Sequence, residues 1–390
     1  MHRNSIDLKG TRILLVDDQP ANLNVLCELL EPEGYRILMA PNGEIALKSA
    51  VRALPDLILL DVMMPGIDGY EVCRRLKQDP VTESIPVIFI TANDQTEGIV
   101  AGFQAGGIDY IPKPFRNEEV LVRVRNALLT KYLFDQHLVY QEKMEKELQT
   151  AHDLQMGLMP EASPQLDGID IAGRCIPAEK VGGDFFQYFD LPQGGLAFSL
   201  ADVTGHAMEA AIPAVLFSGL LESQMERNSN LEEIFERLNY SACRLMKGYT
   251  HVCFAMAQLD PVTYTLRLSN GACPFPFHYR AATNEVVELE GDDAYPLGVS
   301  LDTTYSSVEI QLEPGDRVVF CSDGVMETAS SNGEIFGFER TAELICRGCE
   351  EGLSATALLE RIVEATDTFT ENAPATDDRT CVIISGSPSA

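Results

Sequence analysis

No uninterrupted apolar run in this chain approaches the ~20 residues needed to span a bilayer. The N-terminal stretch Met1 to Gly10 is polar and has no apolar signal core. Membrane insertion and export are therefore not expected, and the expected location is the cytoplasm. Basic residues are scarce: 29 Lys and Arg stand against 59 Asp and Glu, a formal net charge of -30. Such a surface repels duplex DNA, and there is no basic recognition helix, so a direct nucleic-acid partner is excluded. Paired cysteines are scarce too. Of 10 cysteines only Cys346 and Cys349 share a Cys-x-x-Cys spacing, with no second pair or histidine pair nearby. That is too few ligands for a zinc site, and the thiols are read as ordinary buried or free groups in a reducing cytosol. Internal repeats and low-complexity segments are also missing.

At 390 residues the chain is too long for one ordinary domain, so two domains and a connector are expected. Short apolar runs alternate with helical periodicity from Arg12 to Leu129. The runs are Ile13 to Val16, Arg36 to Met39, Leu57 to Leu60, Val87 to Ile90 and Tyr110 to Ile111. Strands that are apolar throughout and separated by helices predict a doubly wound α/β domain of five parallel strands, spanning residues 1–129, with ligands at the carboxyl ends of the strands. Residues 130–160 form the connector. The helical pattern begins near Asn117, and no glycine interrupts it before Gly157. Met144, Leu148, Ala151, Leu154 and Leu158 make one apolar stripe. The stripe is either a coiled-coil seam, giving a homodimer, or a face packed on a neighbouring domain. Residues 161–390 mix hairpin-like strands, such as Leu196 to Val203 and His251 to Leu259, with helices over Met208 to Glu226, Leu231 to Lys247 and Ser354 to Phe369. Turns are placed at Pro192-Gln193-Gly194-Gly195 and Asp260-Pro261. This predicts an α+β domain, an α/β/β/α sandwich rather than a second doubly wound sheet.

Chemistry-bearing residues fall at the strand ends of the first domain. Asp17 and Asp18 follow the first strand, Asp61 the third and Thr91 the fourth, while Lys113 comes just after the fifth. Three carboxylates, a hydroxyl and an ammonium thus meet at one rim. Hard carboxylates suit Mg²⁺, and a carboxylate can attack phosphorus to form an acyl phosphate. Any one of these aspartates could be a turn or a helix cap, but five such residues in strand order are not accounted for that way. The signatures Val16-Asp17-Asp18, Leu60-Asp61-Val62-Met63-Met64-Pro65, Ile90-Thr91-Ala92 and Ile111-Pro112-Lys113-Pro114-Phe115 resemble the CheY-like receiver domain of response regulators. The resemblance implies Asp61 as phosphoacceptor, with Asp17, Asp18, Asp61 and the Met63 carbonyl holding Mg²⁺. It further implies that Thr91 and Lys113 contact the phosphoryl group, that Tyr110 is the aromatic switch, and that a cognate histidine kinase is the donor.

A second constellation comprises Val181-Gly182-Gly183-Asp184, Ala201-Asp202-Val203-Thr204-Gly205-His206, Ser322-Asp323-Gly324 and Thr376-Asp377-Asp378-Arg379-Thr380. Carboxylates converging without cysteine or histidine pairs favour Mg²⁺ or Mn²⁺ over zinc. Two such ions ~4 Å apart can share a hydroxide that attacks a phosphoryl group. The segment from Leu154 to Ser385 resembles the SpoIIE-like branch of the PPM metal-dependent serine/threonine phosphatases. Leu154-Gln155, Leu158-Met159-Pro160, Pro296-Leu297-Gly298-Val299 and Asp323-Gly324-Val325-Met326-Glu327 extend that likeness. It implies two Mn²⁺ or Mg²⁺ ions held by Asp184, Asp202, Asp323, Asp377 and the Val203 carbonyl, with Asp378 ranked below Asp377. Three departures stand out: Ala207 replaces the family's glycine after the histidine, Gln187 replaces an aspartate, and Asn270-Gly271-Ala272-Cys273 replaces Asn-Ala-Gly-His. His206 is assigned to positioning, and Arg174 and Lys180 to the surface.

Together the two resemblances imply a two-component response regulator whose phosphorylation on Asp61 regulates a protein phosphatase. The expected substrate is a phosphorylated STAS-type anti-sigma-factor antagonist in a partner-switching pathway. The alternative is a weak or inactive phosphatase-like domain serving as a phosphorylation-controlled adaptor for a sigma factor or another protein.

Overall fold

The computed structural model describes residues 6–92, 96–192, 194–227, 230–246, 250–292, 294–371 and 375–386. Gln193 and Lys247, read above as part of a turn and the end of a helix, lie outside the described residues. The chain divides into two compact units, Met1–Met144 and Glu145–Ala390.

In the first unit β1 (Arg12–Val16), α1 (Pro20–Leu30), β2 (Arg36–Ala40), α2 (Gly43–Ala53), β3 (Leu57–Asp61), α3 (Gly69–Gln78), β4 (Val87–Thr91), α4 (Thr96–Gln104) and β5 (Asp109–Pro112) alternate. The strands form one parallel sheet in the order β2-β1-β3-β4-β5. β3 and β4 are buried at every position, because helices cover both faces, and the two edge strands are only partly covered. One face buries Leu14, Ile58, Leu60 and Val87, and the other Ile13, Leu59, Ile88 and Ile111. Local chemistry fixes the helix starts: the Asn42 side chain accepts from the Ile45 N–H, and that of Asp68 from the Glu71 N–H.

Helix α5 (Asn117–Met156) begins in the first unit and ends in the second. The strands of the second unit are β6 (Ile169–Ile176), β7 (Phe185–Asp190), β8 (Leu196–Val203), β9 (Val252–Asp260), β10 (Thr265–Gly271), β11 (Phe277–Arg280), β12 (Glu285–Glu288), β13 (Val308–Gln311), β14 (Arg317–Cys321) and β15 (Arg379–Gly386). Its other helices are α6 (Ala207–Met225), α7 (Leu231–Leu245), α8 (Asp323–Met326), α9 (Gly337–Glu350) and α10 (Ala355–Phe369). Two antiparallel sheets result, ordered β13-β10-β9-β8-β7 and β12-β11-β14-β15-β6. Phe198 of one sheet meets Phe320 of the other edge to face, with ring centroids 4.9 Å apart. Phe217 of α6 and Phe235 of α7 pack on Phe254 of β9. On the outer side of the second sheet, Ile345, Leu358 and Ile362 of α9 and α10 cover Val319 and Ile383. This is the four-layer sandwich expected from the sequence, and truncating one of these rings to alanine costs about 3–5 kcal/mol.

On the expected apolar stripe of the connector Leu154 is 70% exposed, as it would be on a seam rather than on a packed face, and the buried residue of that turn is Gln155. Cys346 and Cys349 lie on α9, which is not among the helices expected from the sequence, and Cys349 is buried.

Candidate functional site

The first unit gathers its acids where β1 and β3 end. Asp17, Asp18 and Asp61 each place one carboxylate oxygen within 4.8 Å of the others. The Lys113 ammonium lies 2.9 Å from Asp17 and 2.9 Å from Asp61. Asp17 also accepts hydrogen bonds from the Gln19 N–H and the Asn22 amide, so its orientation is fixed from two sides. Burial raises the Asp61 carboxyl above its usual range, against the pull of Lys113. Burial works against the charge of Lys113, but its bonds to Asp17 and Asp61 outweigh it and hold the ammonium above its ordinary value. Asp18 keeps a buried Oδ1 with no partner among the described residues. A cluster of hard oxygens with an orphaned lone pair fits a divalent cation. Thr91 ends β4 and is buried, and it lines one cavity together with Tyr110 of β5. Arg123 of α5 stacks 5.5 Å from the Tyr110 ring centroid and bonds Asp109 and Glu119. Met63 lies on the loop after β3 and donates a backbone hydrogen bond to Asp61. The Lys113–Pro114 peptide is cis.

The second unit assembles its acids from both sheets. Asp184 directly precedes β7, Asp202 and Val203 end β8, Asp323 follows β14, and Asp377 and Asp378 precede β15. Burial, then the charges of Asp202 and Asp378, raise the Asp184 carboxyl well above its ordinary value. Burial, followed by Asp323, Asp377, Asp378 and Glu327, pushes Asp202 up to about 7. Asp323 and Asp377 are raised in the same direction, mainly by burial. No lysine or arginine among the described residues pairs with any of the five aspartates. Asp184 Oδ2 is buried without a partner among the described residues. Uncompensated, convergent oxygens of this kind fit divalent cations bound partly through water. Among the described residues, no three of these acids bring oxygens as close as the trio of the first unit does.

Asp378 has another task. Its carboxylate accepts from the N–H groups of Ala178 (2.8 Å), Gly183 (2.6 Å) and Asp184 (3.2 Å). A Cβ at Gly182 would lie 1.9 Å from Asp378 Oδ2, and one at Gly183 would lie 2.4 Å from the Val203 carbonyl oxygen. Only glycine permits those approaches. The loop that delivers Asp184 is thus moulded on Asp378 and on the Val203 carbonyl.

Several contributors have roles that the sequence does not assign. Gln155 of α5 donates to the Gly182 carbonyl (2.6 Å) and accepts from the Gly182 N–H (3.2 Å). His152 bonds the Lys180 carbonyl through Nδ1, and Glu145 pairs with the Lys180 ammonium at 2.9 Å. A signal existed: Gln155 sits where the apolar stripe of the connector would continue. Glu327 acts electrostatically on Asp202 and Asp323. Of the departures, Ala207 has φ +52° and Ala272 φ +68°, Gln187 has a buried Oε1 without a partner among the described residues, and Cys273 is buried. His206 precedes α6 and makes no capping bond, and Arg174 is exposed on β6.

Residues 13–125 match the family model of the response regulator receiver domain, and residues 192–386, half of the chain, match that of stage II sporulation protein E. The chain is 43% identical over 160 residues to response regulator PleD of Caulobacter vibrioides, covering 41% of this chain and 33% of PleD. It is 41% identical over 118 residues to protein PilH of Pseudomonas aeruginosa, covering 30% of this chain and 97% of PilH. The chain spans about a third to a half of the length of the first curated relatives it matches. Among solved structures, the SiaA-PP2C domain of Pseudomonas aeruginosa shares the fold at a TM-score of 0.55 and 21% identity, covering 63% of this chain and 97% of that domain. Among the described residues no helix is long and apolar enough to cross a membrane.

Proposed function

This chain belongs to the SpoIIE family and carries a response regulator receiver domain, and on that premise we propose that phosphorylation of Asp61 regulates a Mn²⁺- or Mg²⁺-dependent serine/threonine phosphoprotein phosphatase. The observation that carries the reading is the gathering of Asp184, Asp202, Asp323, Asp377 and Asp378 at strand ends of two sheets with no described lysine or arginine paired to them, burial and the facing acids pushing Asp202 up to about 7. Such a cluster calls for positive charge beside it, which divalent cations supply.

In the receiver, a carboxylate oxygen of Asp61 attacks the phosphorus of a kinase phosphohistidine. The P–N bond breaks and an acyl phosphate forms. Lys113, within 2.9 Å of Asp61, offsets charge on the phosphoryl oxygens. Mg²⁺ held by Asp17, Asp18, Asp61 and the Met63 carbonyl would add to that offset. In the phosphatase, two ions held by Asp184, Asp202, Asp323, Asp377 and the Val203 carbonyl would supply, when bound, a deprotonated water and charge neutralisation for a phosphoryl group. The chain's own part is positional: Asp378 and the two glycines shape the Asp184 loop, and the buried walls keep its carboxylates oriented.

Control runs through α5 in this reading. Arg123 ties its first turns to Tyr110 and Asp109, and Gln155 ties its last turns to Gly182. A change at Tyr110 would be carried along one continuous helix to the loop bearing Asp184. Leu133, Tyr140 and Met144 of α5 are exposed at spacings of seven and four, which supports a homodimer seam. We take the donor to be a cognate histidine kinase, the substrate a phosphorylated STAS-type anti-sigma-factor antagonist in a partner-switching pathway, and the location the cytoplasm.

One observation favours a second reading, a phosphorylation-controlled adaptor with little or no activity: the wider spread of the phosphatase acids compared with the receiver trio. Mn²⁺-dependent hydrolysis of model phosphoesters and phosphorylated STAS proteins, with and without beryllofluoride, separates the two. Activity lost in Asp202→Ala and altered by beryllofluoride is expected. Activity no higher than that of Asp202→Ala would leave the adaptor.

A further inference from the structure

β7 is an edge strand, with β8 as its sheet neighbour on one side only. Its side chains alternate between the two faces, and Phe185 meets Phe217 of α6 with ring centroids 6.3 Å apart. Gln187, two residues on, therefore lies on the α6 side of the sheet. There it lines a cavity of about 360 Å³, together with Asp190 of the same strand and Glu222 of α6. Leu158, Pro160 and Pro164, from the segment that follows α5, line it as well. The volume is that of a small-molecule site, and the mixture of apolar wall and a few polar groups is the usual one for such a site.

The polar part of this wall is one-sided in its chemistry. Asp190 and Glu222 offer acceptors and negative charge, and among the described lining residues there is no lysine, arginine or histidine. Gln187 Oε1 is buried with no partner among the described residues. So is the Oγ of Ser199, the residue directly across the ladder from Gln187. A buried acceptor left unpaired is costly, so the wall calls for donors, and its two carboxylates call for positive charge. We propose that this cavity binds a small organic cation of the alkylguanidinium class. A guanidinium has five N–H donors on several edges and no acceptor, so one head group serves a carboxylate and the Gln187 side-chain oxygen together. Its methylenes lie against Leu158 and the two prolines, and its weak hydration lowers the cost of entry. The occupant touches both the segment leaving α5 and the strand that begins just after Asp184.

The experiment is calorimetric titration of the full chain, in excess Mn²⁺, with n-butylguanidinium and with n-butanol as its uncharged counterpart. The guanidinium is expected to bind with a dissociation constant of about 1 mM or below, and the alcohol at least about tenfold more weakly. Glu222→Gln and Gln187→Leu are each expected to weaken the guanidinium about tenfold or more, because each removes an acceptor for a charged donor. Melting temperatures without ligand keep the test sound. Glu222 is exposed, so its variant should melt as the parent does. Gln187→Leu deletes an unpaired acceptor and should melt no lower. Guanidinium bound no more tightly than the alcohol overturns the proposal, as does binding that Glu222→Gln or Gln187→Leu leaves unaltered. Binding lost in Asp202→Ala but kept in Glu222→Gln places the cation at the phosphatase acids and overturns it too.

Discussion

The receiver and the phosphatase both collect aspartates at strand ends, but they handle the repulsion differently. In the receiver the counter-charge is built in: Lys113 bridges Asp17 and Asp61, and three carboxylates fit within a few ångströms. In the phosphatase no described lysine or arginine enters the cluster, the acids stand further apart, and burial with mutual repulsion raises the carboxyl of Asp202 up to about 7. A site with its own cation is assembled before a metal arrives. A site without one depends on the metal for its final geometry.

The contrast can be broken most severely at Asp202. Asp202→Ala is expected to lower phosphatase activity about 1000-fold while beryllofluoride binding to the receiver stays intact, because the loss of metal-held charge is worth several kcal/mol. An active Asp202→Ala protein in a Mn²⁺-dependent assay would remove the phosphatase half of the comparison. Next comes Lys113→Ala, which should make the receiver behave like the phosphatase. Without its cation, the melting temperature of the receiver should fall by about 5–10 °C and recover with Mg²⁺. A metal-insensitive loss would mean that the lysine is not the substitute for a metal that its geometry suggests.

Gln155→Ala sharpens the comparison on the side of control. It leaves both backbone groups of Gly182 without these partners, at a cost of about 1–3 kcal/mol. The response of hydrolysis to beryllofluoride should fall about tenfold, with receiver phosphorylation unchanged. Equal responses in both proteins would remove α5 from the proposed route. The smallest effect is in pH. Asp184, Asp202, Asp323 and Asp377 are raised in the folded chain, so the folded state holds more protons than the unfolded one from the ordinary carboxylate range up to about 7. Stability of the metal-free phosphatase is therefore lost as pH rises through that window, and low pH retains it. Chelator-treated protein should melt a few degrees lower at pH 8 than at pH 5.5, with Mn²⁺ restoring the higher value. A metal-free transition indifferent to pH would contradict the shared repulsion.

The receiver was legible almost throughout, because a parallel sheet buried on both faces writes itself as short apolar runs and its chemistry falls at their ends. Asn22 and Arg123 escaped, since a polar residue on a helix does not announce which neighbour it turns toward. The phosphatase was legible in its motifs and less so in its strands. β7, Phe185–Asp190, carries aromatic residues at nearly every position and shows no alternation. β15 is buried along almost its whole length and has no turn signal of the hairpin kind before it. Gln155 was hidden for a different reason: helical periodicity marks which face is inward, and a buried glutamine looks there like a gap in the stripe. The positive φ of Ala207 could not be read from residue type at all, because a dihedral angle belongs to the folded chain.

Asp378 lies 194 to 200 residues along the chain from the three amides it binds. Contacts of that separation close the longest loops and form late. During synthesis the Asp184 loop emerges long before the strand that shapes it, so a nascent chain carries a complete receiver while its second site still lacks its brace.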